Sequence, residues 1–191
     1  ALGLPGLCTI GSEHNFPPKA PMGILWETMR RQAYGRLSAV VALTQECAHW
    51  LMDNTQARSL VVIPNAVTWP LPSHAPTVDP RSFCAPGRRI LLGVGRLSEE
   101  KNFAALVSAF AAIAFRHSEW DLVILGEGPR RAALEAQVRE AGLQGRVFLP
   151  GRVGNPGEWY GHAALYGMSS DFEGFPNALV EAMACGLPAV S

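Results

Sequence analysis

The chain has 191 residues, 48% of them apolar, with 16 basic side chains against 16 acidic ones, enough to bury a sizeable core in one domain and part of another. A net charge of zero supplies no long-range field to recruit nucleic acid, so a small partner is expected, local basic clusters aside. Cys8, Cys47, Cys84 and Cys185 are spaced for neither a zinc site nor a compact disulfide framework and read as buried free thiols; no apolar run reaches the ~18 residues that cross a bilayer.

Residues 1–12 are apolar and glycine-bearing, which predicts a buried parallel strand running into a loop that carries Glu13, His14 and Asn15. Polar groups at the end of such a strand face the crevice where open α/β sheets bind ligands. A helix is expected over 22–36, with Trp26, Met29, Ala33 and Leu37 on a core side. Its Arg30, Arg31 and Arg36 form either a solvated basic face or contacts for an acidic acceptor. Ala39–Leu43 reads as a strand, Thr44 as an N-cap, 45–54 as a short helix with Ala48 and Leu51 inward, and Leu60–Ile63 as the next strand. Strand, helix and strand at this spacing make a parallel βαβ unit. Six of the 15 prolines then fall between Pro64 and Pro86, the composition of an extended, semi-rigid connection, placed at 66–88.

Regular structure resumes with the strand Arg89–Val94 and a turn, Gly95–Asn102. After it, Phe103, Leu106, Val107, Phe110, Ile113 and Ala114 recur as the stripe of an amphipathic helix. Gly93-x-Gly95 is not a full dinucleotide fingerprint, because Ser98 stands where a third glycine is required. Lys101 lies at the start of that helix, where the dipole disfavours a cation unless an anion sits between them. On spacing alone it either binds such an anion, with Arg96 adding a bidentate contact, or pairs with a nearby glutamate in solvent. A second βαβ unit follows: strand 121–125, the turn Gly126–Pro129, helix 130–141 and strand 146–149, with Gly126 and Gly128 allowing backbone to approach a ligand. Pro150–Val153 ends that strand. A short helix and a strand over 163–168 come next, with Gly167 weak for a strand.

In the stretch 170–188, Pro176 suits a first helical turn and Gly186 with Pro188 stops the helix, giving a helix over about 176–185. Glu173 and Glu181 are eight positions apart, roughly 12 Å at ~1.5 Å per residue. Carboxylates that hydrolyse a glycosidic bond flank one atom at about 5–9.5 Å, so this pair instead brackets a ligand along the helix start. The N–H groups of Phe175, Asn177 and Ala178 and the positive end of the helix dipole favour an anion there, which points to a phosphate-bearing ligand.

The string EGFPNALVEAMACGLP, with Glu173-x7-Glu181, resembles the signature of the retaining GT-B glycosyltransferases of family 4. The resemblance implies an α/β fold of two Rossmann-like halves. Residues 1–65 would end the acceptor-side domain and 89–191 would form most of the nucleotide-sugar domain, both incomplete in what reads as an internal fragment beginning at Ala1. It places Glu173 at the donor sugar, Phe175, Pro176, Asn177 and Ala178 at the sugar and β-phosphate, and Glu181 at the ribose. Arg96-x4-Lys101 resembles the diphosphate clamp, beside Gly95 and Gly126. Arg152 and Val153 correspond to residues beside the base, and His14 to a histidine near the reacting sugar; Ala164 departs from the aspartate common there.

The implied activity is transfer of a hexose or N-acetylhexosamine from a nucleoside-diphosphate sugar, expected to be a UDP-sugar, to a saccharide or lipid-linked acceptor. The anomeric configuration would be retained with no metal or cofactor, in polysaccharide or glycolipid biosynthesis. A cytoplasmic protein is expected, in peripheral contact with the inner membrane face. An epimerase of the same fold and a non-catalytic nucleotide-sugar-binding remnant are the alternatives. Asp-x-Asp, Walker A, Gly-x-Ser-x-Gly and His-Glu-x-x-His strings are all missing, which removes support for the chemistries they carry.

Overall fold

The computed structural model describes residues 6–191, so the first part of the strand expected over 1–12 lies outside the described residues. The chain divides into two compact units.

The first unit comprises the chain up to Ala66 together with Glu173–Pro176. Its elements are β1 (Ile10–Glu13), α1 (Ile24–Tyr34), β2 (Ala39–Ala42), α2 (Gln45–Asn54) and β3 (Leu60–Val62), and its sheet is parallel in the order β1-β2-β3. Val40, Ala42, Cys47, Ala48 and Leu51 form its core, as the β-branched and apolar runs require. The Thr44 hydroxyl accepts from the Cys47 N–H at 3.1 Å, the cap expected of it and worth about 1 kcal/mol.

Three expectations fail in this unit. The strand expected to be buried is not: β1 has no buried residue and Ile10 is 66% exposed. Glu13 is the last residue of β1 rather than part of the loop, and its Oε2 accepts from the Tyr34 hydroxyl at 2.9 Å with Arg30 Nε 3.6 Å away. Burial, reinforced by that carboxylate, holds the Tyr34 hydroxyl protonated well above its usual range. The apolar side of α1 is not core: Trp26 is 57% and Met29 50% exposed, while Arg30 is the buried residue of that helix. Periodicity located the apolar face, but the side turned inward is the one that carries Arg30, paired with Glu13.

The second unit comprises Val67–Phe172 and Asn177–Ser191. It contains β4 (Arg89–Val94), α3 (Phe103–Ala114), β5 (Trp120–Leu125), α4 (Arg131–Glu140), β6 (Val147–Gly151), α5 (Pro156–His162), β7 (Leu165–Gly167), α6 (Asn177–Ala184) and β8 (Ala189–Val190). The sheet is parallel in the order β6-β5-β4-β7-β8. Order reverses between β4 and β7, the switch point at whose strand ends such sheets hold ligands.

Residues of alternate parity on the central strands feed two cores. One joins Leu91, Leu122 and Ile124 to Phe103, Leu106, Val107 and Phe110 of α3 and to Leu134 and Val138 of α4. The other joins Leu92, Val123 and Leu125 to Trp159, Tyr160, Tyr166 and Ala182. At the start of β5, opposite the ligand end, the buried Asp121 carboxylate accepts from both Arg88 and Arg146. Gly167 has a packing reason: a Cβ there would lie 3.1 Å from Leu106 Cδ1 and 3.2 Å from Leu91 Cδ1.

The segment expected as an extended connection over 66–88 groups with the second unit from Val67 onward. Leu71, Val78, Phe83 and Cys84 pack on its second core, Phe83 with its ring 5.9 Å from that of Trp159. Asn155 fastens the segment further, its side chain exchanging hydrogen bonds of 3.0 Å with the Val78 backbone in both directions.

Candidate functional site

The loops that leave β4, β5 and β6 are joined by backbone hydrogen bonds. Gly95 N–H donates to Leu125 at 3.0 Å, Leu97 N–H to Glu127 at 3.0 Å, Gly126 N–H to Gly151 at 2.8 Å, and Arg130 N–H to Leu97 at 2.9 Å. This contact demands glycine at Gly126, where φ is 138° and a Cβ would sit 1.8 Å from the Gly95 carbonyl oxygen. At Gly128 a Cβ would meet the Leu97 oxygen at 2.4 Å. Both glycines thus serve approach between loops, and Gly126, expected to allow approach to a ligand, also lines the cavity described next.

Above this frame lies a cavity of about 520 Å³ lined by Gly95, Arg96, Gly126, Arg152, Val153 and Glu181, all singled out from sequence. The volume is in the range of small-molecule sites. His74, Pro76 and Glu127 line it as well, and sequence reasoning missed them. The segment 74–76 pairs with the end of β6: His74 N–H donates to the Gly154 oxygen at 2.8 Å and Gly154 N–H to the Pro76 oxygen at 2.6 Å. Nothing in a proline-rich composition indicates a partner so far along the chain. Glu127 Oε1 accepts from Arg131 Nη1 at 2.6 Å, which balances its charge at the cavity wall.

Glu181 extends from α6 into the cavity, with Oε2 accepting from the Tyr160 hydroxyl at 3.0 Å. Burial first and this carboxylate second keep that hydroxyl protonated far above its usual range. Tyr160 also donates to the Ala178 oxygen at 3.2 Å, so one side chain orients both the glutamate and the first turn of its helix. The only sequence sign of Tyr160 was its place in a short apolar segment.

Lys101 is outside the lining but close by: a Cβ built on Gly95 would lie 3.6 Å from its Cδ and Cε. Hydrogen bonds from the Ser98 hydroxyl and then from the backbone, with smaller contributions from the charges of Lys101 and Arg96, hold the Glu100 carboxyl below its usual range. The expected helix start shifts by one residue, since α6 begins at Asn177 rather than Pro176. Asn177 and Ala178 stand in its first turn, outside the cavity lining. His14, Glu173, Phe175 and Pro176 group with the first unit. There Gly174 lies so close to the β1 end that a Cβ on it would be 2.1 Å from the His14 oxygen, and His14 Nε2 is 3.0 Å from Ser12 Oγ. Among the described residues no group of His, Cys, Asp and Glu is arranged to hold a metal ion.

Fold and site together define an α/β protein of parallel, Rossmann-like sheets, the architecture of GT-B glycosyltransferases. The Anabaena HepE structure with UDP and glucose superposes with a TM-score of 0.83 at 20% identity, covering 95% of this chain and 52% of that one. The pneumococcal O-GlcNAc transferase GtfA, in complex with UDP and GlcNAc, gives 0.74 at 19%, covering 94% and 36%. The model of the glycosyl transferases group 1 family matches residues 78–191, and the chain belongs to that family.

Among its relatives is the N-acetylgalactosamine-N,N'-diacetylbacillosaminyl-diphospho-undecaprenol 4-alpha-N-acetylgalactosaminyltransferase of Campylobacter jejuni, 37% identical over 53% of this chain and 27% of the relative. The amylovoran biosynthesis glycosyltransferase AmsD of Erwinia amylovora is 28% identical over 83% of this chain and 44% of its own length. The chain thus spans less than half the length of these curated relatives.

Proposed function

We propose that this chain is the donor-binding part of a retaining glycosyltransferase that takes a hexose or N-acetylhexosamine from a UDP-sugar. The observation that carries the proposal is the convergence of Arg96, Arg152 and Glu181 on one cavity at the carboxyl ends of β4, β5 and β6. In this reading Arg152 and Val153 face the base and Glu181, held by Tyr160, accepts from the ribose hydroxyls. Arg96 and Lys101 meet the diphosphate above the glycine frame.

As the acceptor hydroxyl oxygen bonds to the anomeric carbon, the bond to the β-phosphate oxygen breaks, negative charge gathers on the diphosphate, and the departing phosphate oxygen takes up the hydroxyl proton. Fixed cations aimed at that charge stabilise the transition state more than the ground state. No metal or cofactor takes part, because the two cations do this work. The names of the relatives support a saccharide or lipid-linked acceptor in surface polysaccharide or glycolipid assembly, and such an acceptor suits a cytoplasmic enzyme at the inner membrane face.

Calorimetry of UDP and uridine tests the donor half of the reading. UDP should bind and uridine bind far more weakly; equal affinities would remove the diphosphate clamp. Transfer of radiolabelled sugar by the parent-length protein, with anomeric configuration read by NMR, tests the remainder.

A further inference from the structure

One contact joins the clamp turn to the loop that follows β7, and neither the resemblance nor the cavity accounts for it. Asn102, the residue after Lys101, is the sole described non-glycine residue at positive φ (45°), a conformation that asparagine tolerates better than most. Its side chain works in two directions. Oδ1 accepts from the Ala105 N–H at 3.3 Å and caps α3, while Nδ2 donates to Asp171 Oδ1 at 2.9 Å. Two further bonds connect the same segments: Asp171 N–H donates to the Glu100 oxygen at 2.9 Å, and the Ser169 hydroxyl to the Lys101 oxygen at 2.9 Å. The backbone oxygens of Glu100 and Lys101 are therefore both held by the loop that runs on to α6 and Glu181.

We infer that Asn102 and Asp171 are positioning residues, which lock the Lys101 turn to the β7–α6 loop so that the diphosphate and ribose contacts are set together. The inference rests on the donor-site reading above. A clamp lysine on an independent turn would have to be ordered by the ligand itself, and that ordering opposes binding; the tie completes it before the ligand arrives. The tie is exposed to solvent, so its loss should weaken UDP binding by about two- to tenfold, the range for one net hydrogen bond.

A side-chain exchange isolates this role from folding. Asn102→Asp keeps a good helix cap but sets two carboxylates against each other; adding Asp171→Asn restores one donor and one acceptor with the direction reversed. UDP affinity should fall in Asn102→Asp and return to within about twofold of wild type in the double variant. A single variant that binds UDP like wild type, or a double variant as weak as the single, overturns the inference.

Amide hydrogen exchange in the ligand-free protein supplies a readout that needs no nucleotide. Asn102→Asp should speed exchange over both 99–103 and 169–172, and the double variant should restore both; unchanged exchange over 169–172 rejects the tie. A wild type that binds no UDP while exchange responds and recovers would support the tie and refute the donor-site reading, so the two fail separately.

Discussion

Gly126→Ala should do more damage than its single methyl suggests. The new Cβ would lie 1.8 Å from the Gly95 oxygen, against 3.0 Å as the limit for real Cβ contacts, and φ at this residue is 138°. The β4 and β5 loops must therefore separate. That puts at risk the bonds of 3.0 Å from Gly95 to Leu125, 2.8 Å from Gly126 to Gly151 and 3.0 Å from Leu97 to Glu127. Loss of two such bonds at ~0.5–1.5 kcal/mol each, with ~1–3 kcal/mol of backbone strain, gives about 2–6 kcal/mol. For a chain of this size each kcal/mol moves the midpoint by about 2–4 °C, so calorimetry should record a fall of roughly 4–24 °C. UDP binding should weaken in parallel, because Gly95 and Arg96 line the cavity. Gly161→Ala is the control: it has open space around it inside α5 and should be neutral or stabilising by ~0.5–1 kcal/mol. A Gly126→Ala protein that melts within about 2 °C of wild type and binds UDP equally would refute the reading of this frame.

Lys101→Ala should lower UDP affinity by ~1.5–3 kcal/mol, as for a hydrogen bond to a charged group, and leave uridine binding alone; equal losses for both ligands would assign Lys101 to folding. Glu181→Gln should abolish discrimination between UDP and its 2′-deoxy analogue, a preference the wild type is expected to show, since the amide is a weaker, uncharged acceptor; a variant that still discriminates removes Glu181 from the ribose. Tyr160→Phe strips Glu181 and Ala178 of a donor at 3.0 and 3.2 Å and should blunt that same preference while destabilising the fold by ~0.5–1.5 kcal/mol; full retention of both would disprove the anchoring role. Burial pushes the Cys47 and Cys84 thiols from 9.0 up to about 11. Between those values the unfolded chain loses thiol protons that the folded chain keeps, so stability is full below pH 9 and declines toward pH 11. Urea midpoints at the two pH values should differ less in Cys47→Ala/Cys84→Ala than in wild type; an identical difference would exclude the thiols as its source.

Strands and helices of the second unit were legible in sequence because each run is long and strongly patterned: the α3 stripe closes on Phe103, Leu106, Val107 and Phe110 as expected. Cavity residues were legible for a different reason: Glu181 was carried by a long motif, Arg96 by its spacing to Lys101, and Arg152 by its correspondence to the family's residues beside the base. Contacts between distant segments were not. Pairing of His74 and Pro76 with Gly154 leaves no trace in either local pattern, so a packed segment read as a connection. Gly126 and Gly128 announced a close approach, expected to be to a ligand, but not the loop-to-loop contacts with Gly95 and Leu97. In α1, the apolar period was real, but a period cannot say which side an ion pair such as Arg30 with Glu13 will turn inward.

Because the floor of the cavity is built from main-chain hydrogen bonds, its shape is decoupled from the identity of most side chains around it. Glycine at Gly126 and Gly128 is dictated by the frame, whereas Arg152 is an exposed residue of the cavity lining. Diversification at this protein should therefore be sharply uneven. A saturation library should tolerate almost nothing at the two glycines and a broad range at Arg152, with tolerated changes there redistributing preference among donor nucleotides at little loss of melting temperature. A scaffold of this kind lets selectivity drift while the architecture stays fixed, and it marks the cavity rim as the place to begin re-engineering donor choice.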